Sequence, residues 1–165
     1  MKKDNRGVSI IEMVIIMAML FALLGGMINI AGVMSGKQAR ECTHKIVAAL
    51  ASIRTETMSK STGNNDVSLT IKKNDGKIYV IRDVKDTTKE DIIGSGKLEI
   101  IAYVSGQEED NLEKGDSIVF YFDRETGGLK KDTTQYDEIL IKQGRVCYKV
   151  SIVPVTGKFS YTRVQ

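Results

Sequence analysis

Apolar residues are concentrated at the amino-terminal end of this 165-residue chain. From Val8 to Gly36 there are 29 residues with a single charged side chain, Glu12. A helix that crosses a bilayer needs about 20 apolar residues, so the pattern predicts a membrane-spanning helix over residues 8–36. The run exceeds the apolar region of a secretory signal peptide, which has about 7–15 residues. We therefore expect it to stay with the protein.

The pattern changes after Lys37. Apolar residues recur at helical spacing from Cys42 to Ile53, and charged residues occupy the other faces. We predict that the helix continues as an amphipathic half over residues 37–62. It should end near Gly63, because glycine and asparagine commonly follow the last turn of a helix.

Residues 63–165 show runs in which apolar and polar positions alternate, as is typical of strands. The turn at residues 74–76 (Asn-Asp-Gly) between two such runs predicts a hairpin. A helix followed only by strands indicates an α+β fold, in which the helix covers one face of an antiparallel β-sheet. We predict strands at 67–71, 77–81, 98–104, 117–123, 138–142, 145–153 and 158–164, and loops at 94–96, 105–116 and 127–128.

Most of the net charge lies in the first seven residues. They carry three basic side chains and one acidic one, a net +2 of the formal +3, so the remainder of the chain is nearly neutral. Basic residues that flank an apolar helix stay on the cytoplasmic side of the membrane. We therefore expect a single-pass protein of the cytoplasmic membrane, with its amino terminus inside and everything after Lys37 outside.

Glu12 is the one charge within the apolar segment. A carboxylate there costs on the order of 2.5–3.5 kcal/mol on membrane-insertion scales and usually has a function. One interpretation is a boundary residue that is tolerated because it reaches the headgroups. The other is a group that pairs with a partner during assembly, and the residues around Glu12 favour it.

Residues 2–12, KKDNRGVSIIE, resemble the class III signal of type IV prepilins and type II secretion pseudopilins. That family has a short basic leader ending in glycine, then an apolar residue, then a hydrophobic run with glutamate at its fifth position. By this resemblance Gly7 is the scissile glycine, and Val8 is the new amino terminus and the site of N-methylation. Valine departs from the phenylalanine or methionine that is commoner at this position.

The resemblance implies a structural filament subunit and not an enzyme. A prepilin peptidase would cut between Gly7 and Val8, and Glu12 would pair with the Val8 amine of a neighbouring subunit and set the axial register. The implied partners are the peptidase, other pilin or pseudopilin subunits, the inner assembly platform protein and the membrane. The subunit would pass from the cytoplasmic membrane into an extracellular filament, either a type IV pilus or a type II secretion or competence pseudopilus.

The fold implied by the resemblance is pilin-like. It has a leader (1–7), a transmembrane and filament-core helix (8–36), an amphipathic helix half (37–62) and an extracytoplasmic β-rich domain (63–165). A second resemblance, to minor pseudopilins of the H type, lies in residues 118–128, 143–150 and 156–159. It implies a minor subunit.

A protein of another class has the same layout: a permanently membrane-anchored extracytoplasmic binding or sensor domain. In that interpretation Gly7 and Glu12 have no role in processing or assembly. An enzyme is disfavoured, because the sequence shows no catalytic constellation and no motif for a cofactor or a metal. We accordingly predict no cofactor.

The cysteines and the one histidine each have a plain interpretation. Cys42 and Cys147 lie 105 residues apart. They could form a disulfide, which is permitted outside the membrane, or remain two separate, partly buried thiols. We expect His44, on the amphipathic helix, to be solvated or partly packed rather than a metal ligand.

Two clusters of charged residues are candidate binding sites. The acidic cluster could hold Ca²⁺, but it lacks the EF-hand spacing and we expect a solvated turn. The basic cluster could meet DNA phosphates. Charged residues at alternate positions of a strand are typical of the solvent-exposed face of a sheet, however, so we expect no nucleic acid partner. The acidic cluster comprises Asp123, Glu125, Asp132, Asp137 and Glu138, and the basic cluster comprises Lys142, Arg145, Lys149, Lys158 and Arg163.

Overall fold

The structure, a computed structural model, describes residues 10–59, 67–84 and 87–164, with the backbone alone described for residues 24–35. It divides into two compact units, residues 1–34 and 35–165. The predicted cleavage site at Gly7 and Val8 and the predicted helix end at Gly63 lie outside the described residues.

A long α-helix, α1, runs from Ile10 to Ser59. Its sequence is rich in alanine and methionine, which favour helices. It contains no proline, since the one proline of the chain is Pro154. The helix spans both the apolar and the amphipathic pattern of the sequence.

The described residues after α1 contain nine β-strands and one short 3₁₀ helix, η1. The elements are β1 (Val67–Asn74), β2 (Lys77–Val84), β3 (Thr87–Ser95), β4 (Glu99–Val104), β5 (Gln107–Asn111), η1 (Leu112–Lys114), β6 (Ser117–Phe120), β7 (Glu138–Gln143), β8 (Val146–Val153) and β9 (Lys158–Arg163).

The strands form two antiparallel sheets. Sheet A has the order β3-β2-β1-β6 and sheet B the order β5-β4-β7-β8-β9. The predicted hairpin is present between β1 and β2. Its turn residues, Asp75 and Gly76, have φ of 47° and 69°, which is the backbone that a two-residue hairpin turn with the correct twist requires.

The second half of α1 and the inner faces of both sheets form a hydrophobic core. The helix contributes a stripe that is buried at every third or fourth position, which is the spacing of one helix face. Two hydroxyls lie in this stripe, and both are satisfied within the helix: Thr43 donates to the Ala39 carbonyl at 2.8 Å and Thr57 donates to the Ile53 carbonyl at 2.8 Å. The buried apolar stripe is Ala39, Cys42, Ile46, Ala49, Leu50 and Ile53.

The α+β class predicted from the sequence is confirmed. The single predicted sheet is wrong, since the strands divide into two sheets. Strands β3 and β5 were not predicted, because their residues are mostly polar: Thr87–Ile92 are all exposed, and β5 reads QEEDN. The loop predicted at 105–116 contains β5 and η1, and the loop predicted at 94–96 begins inside β3.

Candidate functional site

The described amino-terminal part of α1, Ile10–Leu23, carries apolar side chains that are exposed at every position. Ile10 is 84% exposed, Ile11 72% and Phe21 71%. Large exposed apolar surfaces mark contacts with another protein or with a membrane. This run is therefore the strongest candidate for a functional surface in the described part of the chain.

Glu12 lies on this surface, one turn from Ile15 and Ile16. Its side chain is exposed, and no basic group within residues 10–59, 67–84 and 87–164 forms an ion pair with it. Glu12 is therefore an exposed carboxylate within an otherwise apolar stretch of the helix.

The membrane-spanning segment predicted at 8–36 falls only partly within the described residues. Among the residues whose side chains are described, no helix is both long enough and apolar enough to cross a membrane.

Cys42 and Cys147 are both free thiols. Cys42 is buried in the core beside Gly94, and this burial raises the pKa of its thiol to about 12 despite the nearby Lys45 ammonium, which lowers it. Cys147 is half-buried on β8, where side chains alternate between the two faces of the sheet. Its neighbour Tyr148 faces the core, so Cys147 faces outward. The structure does not bring the two cysteines together.

His44 is exposed on α1 and contacts the edge strand β9. Its ring makes an edge-to-face contact with the ring of Tyr161, at 4.8 Å between centroids. The Tyr161 hydroxyl and Arg40 Nε each lie 3.4 Å from His44 Nε2. His44 is thus partly packed, as a surface residue at a seam between helix and sheet.

The predicted acidic cluster is dispersed. The Asp123 carboxylate accepts hydrogen bonds from the backbone N–H and the hydroxyl of Thr126, at 2.9 and 3.0 Å, and these bonds lower its pKa. Asp137 accepts a bond from the Ser105 N–H at 3.1 Å, and Glu138 pairs with Lys149. Among the described residues no three histidine, cysteine, aspartate or glutamate side chains could hold a metal ion.

The predicted basic cluster is divided between the two faces of sheet B. Lys142, Arg145 and Lys149 line a groove of about 660 Å³ on the outer face, together with Glu138 and Cys147. Arg163 lies opposite Tyr148 and therefore on the inner side. The basic residues do not form one continuous stripe.

The free edge of β9 was not identified from the sequence. The sequence does contain one feature of this region, its one-sided charge: residues 139–165 contain five basic residues and no acidic one. Only the strand order shows that these residues end in an edge strand.

Comparisons with protein-family models, with curated protein sequences and with solved structures find no match to this chain.

Proposed function

We propose that this protein is a structural subunit, of the minor class, of a type IV pilus or a type II secretion or competence pseudopilus. A prepilin peptidase removes residues 1–7, and the subunit assembles through α1. The observation that carries this proposal is the exposed apolar run Ile10–Leu23, which has Glu12 as its one charge and follows a leader of the class III type.

The exposed run needs an apolar environment. Apolar surface removed from water contributes about 25 cal/mol per Å², so a helix that exposes every side chain over fourteen residues gains by entering a bilayer or a bundle of like helices. A filament subunit uses both environments in turn. The apolar sequence continues to Gly36 without another charge. This length is sufficient to cross a bilayer and to pack in a bundle of like helices.

Glu12 supplies the register in this proposal. A carboxylate that is buried without a partner is strongly destabilising, whereas an opposite charge at the right height offsets the cost. Cleavage after Gly7 would create such a charge, the amine of Val8, four residues before Glu12. Each subunit would then carry a positive charge at the Val8 amine and a negative charge at Glu12. The amine of one subunit lies beside Glu12 of its neighbour at only one axial offset between the two helices.

The architecture of the second unit supports a pilin-like fold within this proposal. The second half of α1 buries one stripe against antiparallel strands, which is the arrangement expected of an amphipathic helix half that anchors a β-rich head. The membrane, the peptidase, the assembly platform protein and other pilin subunits are the partners that follow from it.

Mass spectrometry of the amino terminus tests the proposal. The full chain is expressed in a bacterial membrane with and without a prepilin peptidase. We expect a product that begins at Val8 and carries a methyl group only when the peptidase is present. Gly7→Val, which adds a side chain at the scissile residue, is the matched control and should remain uncut. A wild-type chain that still begins at Met1 or Lys2 would instead support the permanently anchored binding or sensor domain.

A further inference from the structure

The described residues present four sheet edges: β3 and β6 in sheet A, and β5 and β9 in sheet B. A free edge offers unpaired N–H and C=O groups to any other strand. Proteins block such edges with charged residues, with bulges or by keeping the edge strand very short. The four edges differ sharply in these features.

Three of the four edges are blocked. Strand β3 carries a lysine, a glutamate and an aspartate at 89–91, and its register with β2 shifts at Ile78/Tyr79. Strand β5 has three acidic residues at 108–110, and its register with β4 shifts at Ala102/Tyr103. Strand β6 has four residues.

Strand β9 carries charged residues only at its two ends. Its six residues pair with β8 in a continuous register. Between Lys158 and Arg163 it has only Phe, Ser, Tyr and Thr, of which the aromatic residues and threonine favour strands. Tyr161, near its centre, is 41% exposed. No strand within the described ranges lies on its other side.

The direction of the backbone groups follows from one hydrogen bond. The Val164 N–H donates to the Cys147 carbonyl of β8 at 2.9 Å. In an antiparallel pair, residues alternate between those bonded to the neighbouring strand and those whose N–H and C=O point away. Phe159, Tyr161 and Arg163 are the alternate residues, so their N–H and C=O groups point to the free edge.

We propose that the free edge of β9 binds an extended acidic segment of a partner protein as an added strand. Strand addition of this kind takes its affinity from main-chain hydrogen bonds and its specificity from the side chains. The side chains here select for negative charge, because residues 139–165 carry five basic residues and no acidic one. Two of these, Lys158 and Arg163, bracket the edge. This proposal does not rest on the filament function.

Charge also argues against two other occupants. In a symmetric antiparallel pairing of β9 with β9 of a second copy, two edges that each carry Lys158 and Arg163 and no acidic residue would lie side by side, and their like charges would repel each other. Nucleic acid needs a basic stripe along its backbone. The basic residues near β9 are instead divided between the two faces of the sheet, with Lys149 outside and Arg163 inside.

Hydrogen–deuterium exchange of the full chain in detergent micelles tests the proposal with a synthetic peptide, Asp-Thr-Val-Thr-Val-Asp. In antiparallel register its two aspartates lie opposite Arg163 and Lys158, and its valines lie opposite Tyr161 and Phe159. The amides of Phe159, Tyr161 and Arg163 should exchange about tenfold more slowly at a peptide concentration ten times the dissociation constant. A peptide with lysine in place of both aspartates is the control.

Two variants separate edge binding from folding. Arg163→Pro removes an N–H that points to the free edge and leaves the bonds to β8 intact, a position at which proline is tolerated. It should abolish binding without changing the thermal midpoint. Lys158→Glu combined with Arg163→Glu should reverse the preference, so that the lysine peptide protects the same amides.

Three outcomes would overturn the proposal. One is the absence of protection at the three amides up to the solubility limit of the aspartate peptide. Another is equal protection by both peptides, which would remove the role of charge. The third is protection of the same amides by self-association of the chain or by a single-stranded oligonucleotide in preference to the peptide.

Discussion

Arg54 on α1 donates a hydrogen bond from Nε to the carbonyl oxygen of Gly127 at 2.9 Å. Its Nη2 donates to the carbonyl of Thr156 at 3.2 Å. One side chain of the helix thus satisfies carbonyls of two loops that lie 73 and 102 residues further along the chain. Gly127 is buried, so water cannot readily replace the arginine at its carbonyl.

We predict that Arg54→Met lowers the free energy of unfolding by about 2 kcal/mol, because it leaves the buried Gly127 carbonyl unsatisfied. Urea denaturation of the full chain in micelles, followed by tyrosine fluorescence, measures this, since the chain has six tyrosines and no tryptophan. The control is Arg40→Met, an exposed arginine of the same helix, for which we expect a change within about 0.5 kcal/mol. Equal effects of the two substitutions would contradict the proposed role of Arg54.

Gly157 and Gly144 separate backbone strain from steric clash. Both have φ of 59°, but a Cβ on Gly157 would lie 1.8 Å from the Gly127 oxygen, whereas a Cβ on Gly144 meets nothing within 4 Å. We expect Gly144→Ala to cost about 1 kcal/mol for the left-handed backbone. Gly157→Ala should cost roughly 3–4 kcal/mol, because the loops must also move apart. Denaturant midpoints measure the difference in stability between the two variants, provided that both unfold with the same dependence of free energy on denaturant. Similar midpoints would show that the loops containing Gly127 and Gly157 are not in close contact.

The buried thiol of Cys42 makes stability depend on alkaline pH. Its pKa is raised from 9.0 to about 12 in the folded state. Below pH 9 the thiol is neutral in both states. Above pH 9 the unfolded chain loses the proton first, so this group's contribution to stability is lost progressively between pH 9 and 12, with a slope of about 1.4 kcal/mol per pH unit.

Lysine and tyrosine residues titrate in the same pH range, so the measurement is a difference between two chains. Cys42→Ala lacks the thiol, and its unfolding free energy should fall less steeply above pH 9 than that of the wild type. Cys147→Ala, which removes the half-buried outer thiol, is the comparison. Partial burial raises the pKa of this thiol as well, so its curve should also fall less steeply than the wild type's, but by a smaller amount than that of Cys42→Ala. Parallel curves for wild type and Cys42→Ala would show that Cys42 ionises equally in both states.

Glu12 tests the assembly part of the proposed function separately from processing. We predict that Glu12→Ala is still cut after Gly7 but enters filaments at a reduced level, because the helices lose the charge pair that sets their register. Cleavage is measured by mass spectrometry, and incorporation by immunoblot of sheared filaments. Met13→Leu, an apolar change at the next residue, should behave as wild type. Normal incorporation of Glu12→Ala would remove the register role.

The sequence predicted the elements that local patterns encode. The helix, the Asn-Asp-Gly hairpin and the apolar strands can be predicted from the sequence, because each has residues that favour its conformation and apolar residues at the spacing typical of it. Strand β3 is not visible in this way, since its stability comes from β2: Thr88 bonds Asp83 at 2.6 Å, and Arg82 pairs with Asp91. The polar edge strands are therefore stabilised by the strand they pair with, and their own sequence does not indicate a strand.

The division into two sheets depends on long-range pairing. Strand β6 pairs with β1, and β7 pairs with β4, in both cases across intervening strands. No local pattern specifies which of two apolar strands is the neighbour of a third. The same limit applies to Arg54, which the sequence places only among the charged residues of an amphipathic helix. Glu12 was identified because its signal, a single charge in an apolar run, is local.

The strand order also has a consequence for the order of folding. Strand β1 cannot complete its sheet until β6 is present, and β4 remains without β7 while the whole segment between them is made. Strand β7 in turn takes its second neighbour from β8. Pairings of such long sequence separation form slowly. Sheet A can therefore be completed once β6 has been synthesised, whereas the apolar strand β4 of sheet B lacks one of its two neighbours until β7 has followed.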